Sequence, residues 1–390
     1  MDAVQLAAVL VSAALVASMV SVQIGISVAL IELTLGVVLG NVFTLNPNAE
    51  WLVLLATFAS VVLTFLAGAE VDPDDFRSRL GASLAIGLAS FAGPFIVVAL
   101  LAAGVLGWGT QASLIAATSL SETSLAVVYA VLVETGLSST RVGKLIMSAC
   151  FVTGMCTVVA LSTIFAQPTV WLPLFLVASV VAIVALPRIA PWFFARFGDR
   201  VIEPEIKLVF VVLLILMVLG DAAHSQAVLP AFVLGLVMSR HYRRHQEEQR
   251  RLRVVAFAFL TPFFFLRGGM NVSLDAVAAN LGVLALLLAA KLVPKLGLVY
   301  PLARREAGVN ARFATLLMST GLTLGTISAL YGLNNHIIDR TQFSLLVAVI
   351  VLSAIVPTAI AQRWFSPPQL APHPHHLLPP EDSDALLGEA

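Results

Sequence analysis

ATSLSETSLAVVYA, residues 117–130, and MSTGLTLGTISAL, residues 318–330, decide how this chain is read. Each lies in an apolar stretch of membrane length that is interrupted near its middle. Ser119, Ser121, Glu122, Thr123 and Ser124 interrupt the first; Ser319, Thr320, Gly321, Thr323, Gly325 and Thr326 interrupt the second. A break in an apolar helix frees N–H and C=O groups, which a membrane tolerates only where protein or a water-filled cavity covers them. A Ser/Thr-rich packing seam would account for either stretch alone. Two such breaks at corresponding places in two halves of a chain point to broken helices crossing at a binding site.

The surroundings of both stretches are apolar. Of 390 residues, 59% are hydrophobic and 11% charged, with a mean hydropathy of +0.98. A soluble domain carries about 25% charged residues, so the composition excludes a soluble enzyme and a disordered chain. A membrane helix needs about 20 mostly apolar residues. Thirteen stretches qualify: 4–22, 24–43, 50–69, 83–106, 110–134, 141–165, 169–187, 205–222, 226–239, 253–270, 279–300, 311–331 and 343–365. They are too long and continuous for alternating barrel strands. The expected fold class is an all-α polytopic membrane protein with about thirteen transmembrane helices. No Lys or Arg precedes Arg77, so the first stretch lacks the basic start of a signal peptide and is expected to be a mature helix.

A shift of about 200 residues lays the first six stretches over the last six, leaving 169–187 as a linker helix. An odd number of crossings between equivalent helices reverses their sense. The expectation is therefore two inverted repeats, 4–165 and 205–365, in one transmembrane domain (1–366). The positive charges orient it. With the N-terminus outside, 18 of the 22 Lys and Arg fall in inner loops, Arg267 and Arg340 fall outside, and Lys291 and Lys295 lie within a span. This places the C-terminus in the cytoplasm of a bacterial-type inner or plasma membrane.

The run RHYRRHQEEQRRLR, 240–253, reads as a solvated cytoplasmic loop meeting anionic lipid, or alternatively as a regulatory partner site. The Pro-rich tail, 367–390, is too short for a domain and is expected to be disordered. Its His373, His375 and His376 offer metal capture as an alternative, although no resident metal or cofactor is expected. Cys150 and Cys156 are too few for a disulfide framework and read as small core residues.

An ionised side chain at a helix centre costs about 2.5–3.5 kcal/mol on insertion scales, so each one needs a reason. Glu32 reads equally as a buried, hydrogen-bonded carboxyl or as an accessory functional group. Glu122, inside the break, can hold a cation or a proton. Lys291 and Lys295 share a helix face one turn apart; one can snorkel to the interface, and Lys295 can pair with a carboxylate near the break. Glu70, Glu134 and Asp221 lie at span ends and read as solvated caps. No HExxH, no GxSxG and no close Asp pair lies in any span, which argues against an intramembrane enzyme.

The motifs SETSLAVVYAVLVETG, FVTGMCTVVAL, TPFFFLRGGMNVSL, KLVPKLGLVYPLARR, LLMSTGLTLGTISALYGL and VPTAIAQRWF resemble the monovalent cation:proton antiporter-2 family of the sodium/hydrogen exchanger superfamily. The resemblance runs from about residue 10 to residue 366. It implies a thirteen-helix antiporter, likewise a homodimer, with a dimerisation panel from helices 1–3 and 8–10 and a mobile core from helices 4–6 and 11–13. It also implies elevator-like exchange of Na+ or K+ for H+, with lipid and these ions as partners and no nucleic acid. Some relatives add a cytoplasmic nucleotide-binding domain, which the residues after 366 are not expected to encode. Lys295 matches the family's membrane lysine, and Ser121, Thr123, Ser319 and Thr320 fall in the crossing helices. In the motif containing Thr153, the family usually has Asp where this chain has Gly154. The expected ion- and proton-binding set is thus Glu122, Ser121, Thr123, Thr153, Lys295, Ser319 and Thr320, with Glu32 and Lys291 accessory. Either Glu122 supplies the missing carboxylate, or the chain is a coupling-deficient paralogue acting as a channel, leak or carrier of another solute.

Overall fold

The computed structural model describes residues 2–24, 27–70, 80–135, 137, 140–164, 169–198, 200, 202–223 and 227–365. Arg77, Arg79 and the tail with His373, His375 and His376 lie outside the described residues, which are helical throughout their ordered elements and contain no strand. The first half comprises α1 (Ala3–Ile24), α2 (Val28–Asn41), α3 (Glu50–Ala69), α4 (Leu80–Leu100, continued by a π turn to Val105), α5 (Thr110–Ser121), α6 (Leu125–Glu134) and α7 (Arg141–Ile164). After α8 (Leu172–Phe197), the second half comprises α9 (Pro204–Ala222), α10 (Val228–Arg244), α11 (Gln246–Val255) and α12 (Thr261–Met270). It continues with α13 (Leu274–Ala279), α14 (Leu281–Ala307), α15 (Ala311–Met318), α16 (Thr323–Asn334) and α17 (Arg340–Trp364).

Each of the thirteen apolar stretches is helical over most of its length. Among the described residues, nine segments have the length and apolarity to cross a bilayer, and α2 is apolar but shorter. Several boundaries differ from the sequence reading. The helix expected as a linker, α8, runs on to Phe197 through Pro187 and Pro191; prolines inside membrane helices are tolerated where other donors cover the carbonyls they free. The basic run 240–253, read as a loop, is helical on both sides of His245. Its charges suit the helix ends: His241, Arg243 and Arg244 occupy the last turn of α10, and Glu247 and Glu248 the first turn of α11. A π turn, Ala256–Leu260, joins α11 to α12.

Glycines set the closest helix crossings. A Cβ on Gly235 of α10 would collide with Phe65 O of α3, and one on Gly68 of α3 with Phe232 O of α10. Gly36 of α2 and Gly269 of α12 face each other in the same way, against Leu266 O and Leu33 O. Small residues admit such backbone contact between membrane helices. In the expected repeat α2 corresponds to α10, and α3 to α11–α12. Exchanging the halves therefore turns the α2–α12 contact into the α10–α3 contact. Both are among the closest packings in the molecule.

Candidate ion-binding site at the helix breaks

Both predicted breaks exist. α5 ends at Ser121, and Glu122 is extended (φ −61°, ψ 151°) before α6 begins at Leu125. α15 ends at Met318, and Leu322 (φ −158°, ψ −72°) precedes α16. Each break supplies what the other lacks. Thr123 Oγ1 donates to Met318 O at 2.8 Å, and Ser124 N–H donates to Thr320 O at 3.3 Å. Leu322 N–H donates to Glu122 Oε2 at 2.9 Å. The Glu122 carboxylate thus sits at the N-terminal end of α16, where the unpaired N–H groups of a helix favour negative charge.

The two lysines on α14 behave differently. Lys295 Nζ donates to Glu122 O and Thr123 Oγ1, both at 2.8 Å, and to Met318 O at 3.1 Å. It clamps the crossing through main-chain oxygens, where the sequence reading allowed it a carboxylate. Lys291 is equally buried, yet its Nζ has no hydrogen-bond partner among the described residues. A Cβ on Gly321 would strike Lys291 Nζ and come to 3.0 Å from Glu122 Oε2, so the ammonium and the carboxylate flank the same glycine. Neither lysine snorkels.

A cavity of about 80 Å³ reaches Glu122 and Thr123 and is lined also by Gly154, Cys150, Phe232 and Glu70. Gly154 faces open space: a Cβ there would meet only Leu324 Cδ1, at 3.3 Å. Glu70, read as a solvated cap, stands on this cavity with its Oε1 3.2 Å from Arg253 Nη2. A separate polar cavity of about 820 Å³ is lined by Asp221, Arg267, Asn271, Asn334, His336 and Arg340 among others. Arg267, which the charge count put in an outer loop, is buried within α12 and donates to Pro47 O and Asn334 Oδ1, both at 3.0 Å.

The remaining candidates divide. Ser121, Ser319 and Thr320 lie at the crossing but donate to carbonyls of their own helices, Ala117 O, Thr315 O and Leu317 O. Their oxygens can still act as acceptors. Thr153 is not brought to the cavity; it donates to Gly87 O and Ala149 O, tying α7 to α4. Glu32 is buried on α2 with Oε2 unpartnered among the described residues, and it is not among the residues lining the Glu122 cavity. Glu134 lies at the end of α6.

Two site residues escaped the sequence reading. Ser90 of α4 lies 3.3 Å from both Thr123 Oγ1 and Met318 O. Cys150 of α7 touches Met318 Sδ at 3.5 Å. Ser90 had a faint signal as one of two hydroxyls, with Ser83, in an apolar helix, whereas Cys150 had none.

Comparison with known proteins agrees with this architecture. The profile of the family described as "Sodium/hydrogen exchanger, transmembrane" matches residues 10–365. The chain is similar to Probable Na(+)/H(+) antiporter 3 of Methanocaldococcus jannaschii, 26% identical over 331 residues, covering 81% of this chain and 84% of that one. It is also similar to the Na(+)/H(+)-K(+) antiporter GerN of Bacillus cereus, 23% identical over 377 residues, covering 93% of this chain and 95% of that one. The solved structure of the sodium proton antiporter MjNhaP1 from M. jannaschii superposes with a TM-score of 0.70 at 13% identity, over 94% of this chain and 100% of that one. That likeness speaks for the fold. With the match spanning nearly the whole described membrane region, the chain belongs to the sodium/hydrogen exchanger family.

Proposed function

We propose that the chain exchanges a monovalent cation, Na+ or K+, for protons by elevator-like alternating access, with Glu122 as the carboxylate that holds either ion. One observation carries the reading: the Glu122 carboxylate is buried at the crossing of the two breaks, beside an ammonium, on the cavity that Gly154 also lines. Antiport needs a group that holds a proton or a cation but not both, and a carboxylate among neighbouring charges is such a group. Gly154 has no side chain to offer, and Glu122 faces the same cavity from another helix. A cation approaching Glu122 is repelled by Lys291 and Lys295. It also competes with Lys295 for Glu122 O, Thr123 Oγ1 and Met318 O, the oxygens that the lysine now holds. Loss of a proton from this cluster as the cation enters couples the two fluxes electrostatically. The antiporter names of the relatives support the substrates. A homodimer, an outside N-terminus, thirteen crossings, and the 1–366 domain with its cytoplasmic tail belong to the same proposal.

The test is exchange in proteoliposomes driven by a pH gradient. Glu122→Gln keeps the shape and removes the charge, and the expected flux falls to that of empty vesicles; undiminished exchange overturns the reading. The open space at Gly154 favours one alternative, a coupling-deficient paralogue. Gly154→Asp needs only the Leu324 methyl to give way. If Gly154→Asp creates exchange that the unmodified chain lacks, the alternative holds.

A further inference from the structure

At the joint between α10 and α11, away from the helix breaks, we infer that His241, His245 and Glu248 form a binding site for a transition-metal dication of the Zn2+ class. One ligand atom from each of the three lies within 4.8 Å of the other two. His241 Nε2 is 2.8 Å from Glu248 Oε2, and the His241 and His245 rings stack with centroids 4.4 Å apart and planes 21° from parallel. His241 and His245 are one helical turn apart, a spacing that turns two imidazoles to one side.

The surroundings prepare the donors. His245 Nδ1 lies 3.2 Å from His241 O. An Nδ1–H donated to that carbonyl leaves the Nε2 lone pair free for metal, the arrangement by which outer-shell carbonyls orient ligating histidines. Phe194 packs edge-on against the His241 ring at 5.3 Å and limits its rotation. At a tetrahedral centre with bonds of about 2.0–2.1 Å, ligand atoms stand about 3.4 Å apart. The exposed side chain of His245 can rotate to bring its ring nitrogen to that spacing from within the 4.8 Å limit.

Donor chemistry selects the metal. Two imidazoles and a carboxylate suit Zn2+ and its first-row neighbours, whereas Ca2+ and Mg2+ favour all-oxygen sets. Three protein ligands leave a position for water. Arg240, Arg243, Arg244 and Arg250 belong to the same run and disfavour a dication, while Glu248 offsets them as a ligand. The ligands come from both sides of the joint: His241 from α10, His245 from the joint, and Glu248 from α11. Bound metal therefore fixes the angle at which α11 leaves α10. That angle reaches the cavity, since α11 carries Arg253 to Glu70 and Gln249 to Ala69 O.

The test uses the full chain, free of affinity histidines, with His373, His375 and His376 changed to Asn. Co2+ is added and its visible absorption recorded, with Zn2+ as competitor. One equivalent of Co2+ should give the intense bands of a four-coordinate centre, which Zn2+ bleaches. His241→Asn, His245→Asn and Glu248→Gln should each weaken binding by at least about tenfold, the lower end of what even an outer-shell change costs a metal site. Glu247→Gln, one residue from the site, should leave the bands unchanged. Zn2+ should also raise the melting temperature of the parent but not of His245→Asn, as a ligand that binds only the folded state does. Bands seen only when the tail histidines are present, or bands that survive His241→Asn and His245→Asn, overturn the inference.

Discussion

Lys291 and Lys295 lie on one face of one helix, and their partners make them opposites. Lys295 holds three oxygens, and hydrogen bonds to a charged group contribute about 1.5–3 kcal/mol each. Lys295→Met removes the donor and leaves Glu122 O without it, so the melting temperature is expected to fall by several degrees. Lys291→Met breaks no hydrogen bond among the described residues and removes an ammonium that flanks the Glu122 carboxylate. Its expected melting temperature falls less than that of Lys295→Met, while exchange slows because the charge flanking Glu122 is lost. Thermal unfolding in detergent, set beside exchange in proteoliposomes, checks both; equal destabilisation by the two changes would contradict the assignment. The residues of the crossing were legible where polar groups interrupt an apolar run, as at Ser119–Ser124 and Ser319–Thr326. Their partners were less so. Nothing in the sequence distinguishes a lysine bonded to main-chain oxygens from one beside a carboxylate, and Ser90 enters the site only because α4 packs beside both breaks.

Helices reveal themselves by length and apolarity, and so the thirteen stretches were legible while their ends were not. α8 passes Pro187 and Pro191 because membrane helices can cover the freed carbonyls. The basic run is helical because its charges sit at the helix ends they favour, which a charge count does not register. The glycine crossings depend on which faces meet, and that is a tertiary fact. Gly235→Leu would drive a side chain into Phe65 O, and backbone that cannot retreat must separate α10 from α3. Overpacking costs about 1–3 kcal/mol in a core that can adjust, and a backbone collision is harder to absorb. The expected result is a sharp loss of monodisperse protein on size exclusion, with a lower melting temperature in what remains. Gly282→Ala and Gly104→Ala meet nothing within 4 Å and should behave as the parent does. If Gly235→Leu is tolerated as well as those two, the close α3–α10 crossing is wrong.

For the molecule as a whole, the charge distribution and the two cavities make one statement about sides. The cavity reaching Glu122 carries Glu70, which is paired with Arg253 of the basic run. The larger polar cavity carries His336, from the connection between α16 and α17, and Arg340, the first residue of α17. Three segments long and apolar enough to cross separate these ends in the chain: α11 with α12, α14, and α15 with α16. If all three cross, as the proposed topology requires, the two ends lie on opposite faces of the membrane, and the excess of Lys and Arg favours the cytoplasm for the basic run. In a background with Cys150 and Cys156 replaced, Asn335→Cys should react with an impermeant maleimide added to intact cells. Glu247→Cys, on the exposed first turn of α11, should react only after the membrane is opened. Both positions are exposed, so access to the side of addition controls the outcome. Labelling of both from one side would remove a crossing between them and with it the inverted repeat. Reversed labelling would keep the repeat and invert the orientation. The cavity reaching Glu122 shares its end with the basic run through Glu70 and Arg253, so the same labelling tells from which side that cavity is reached.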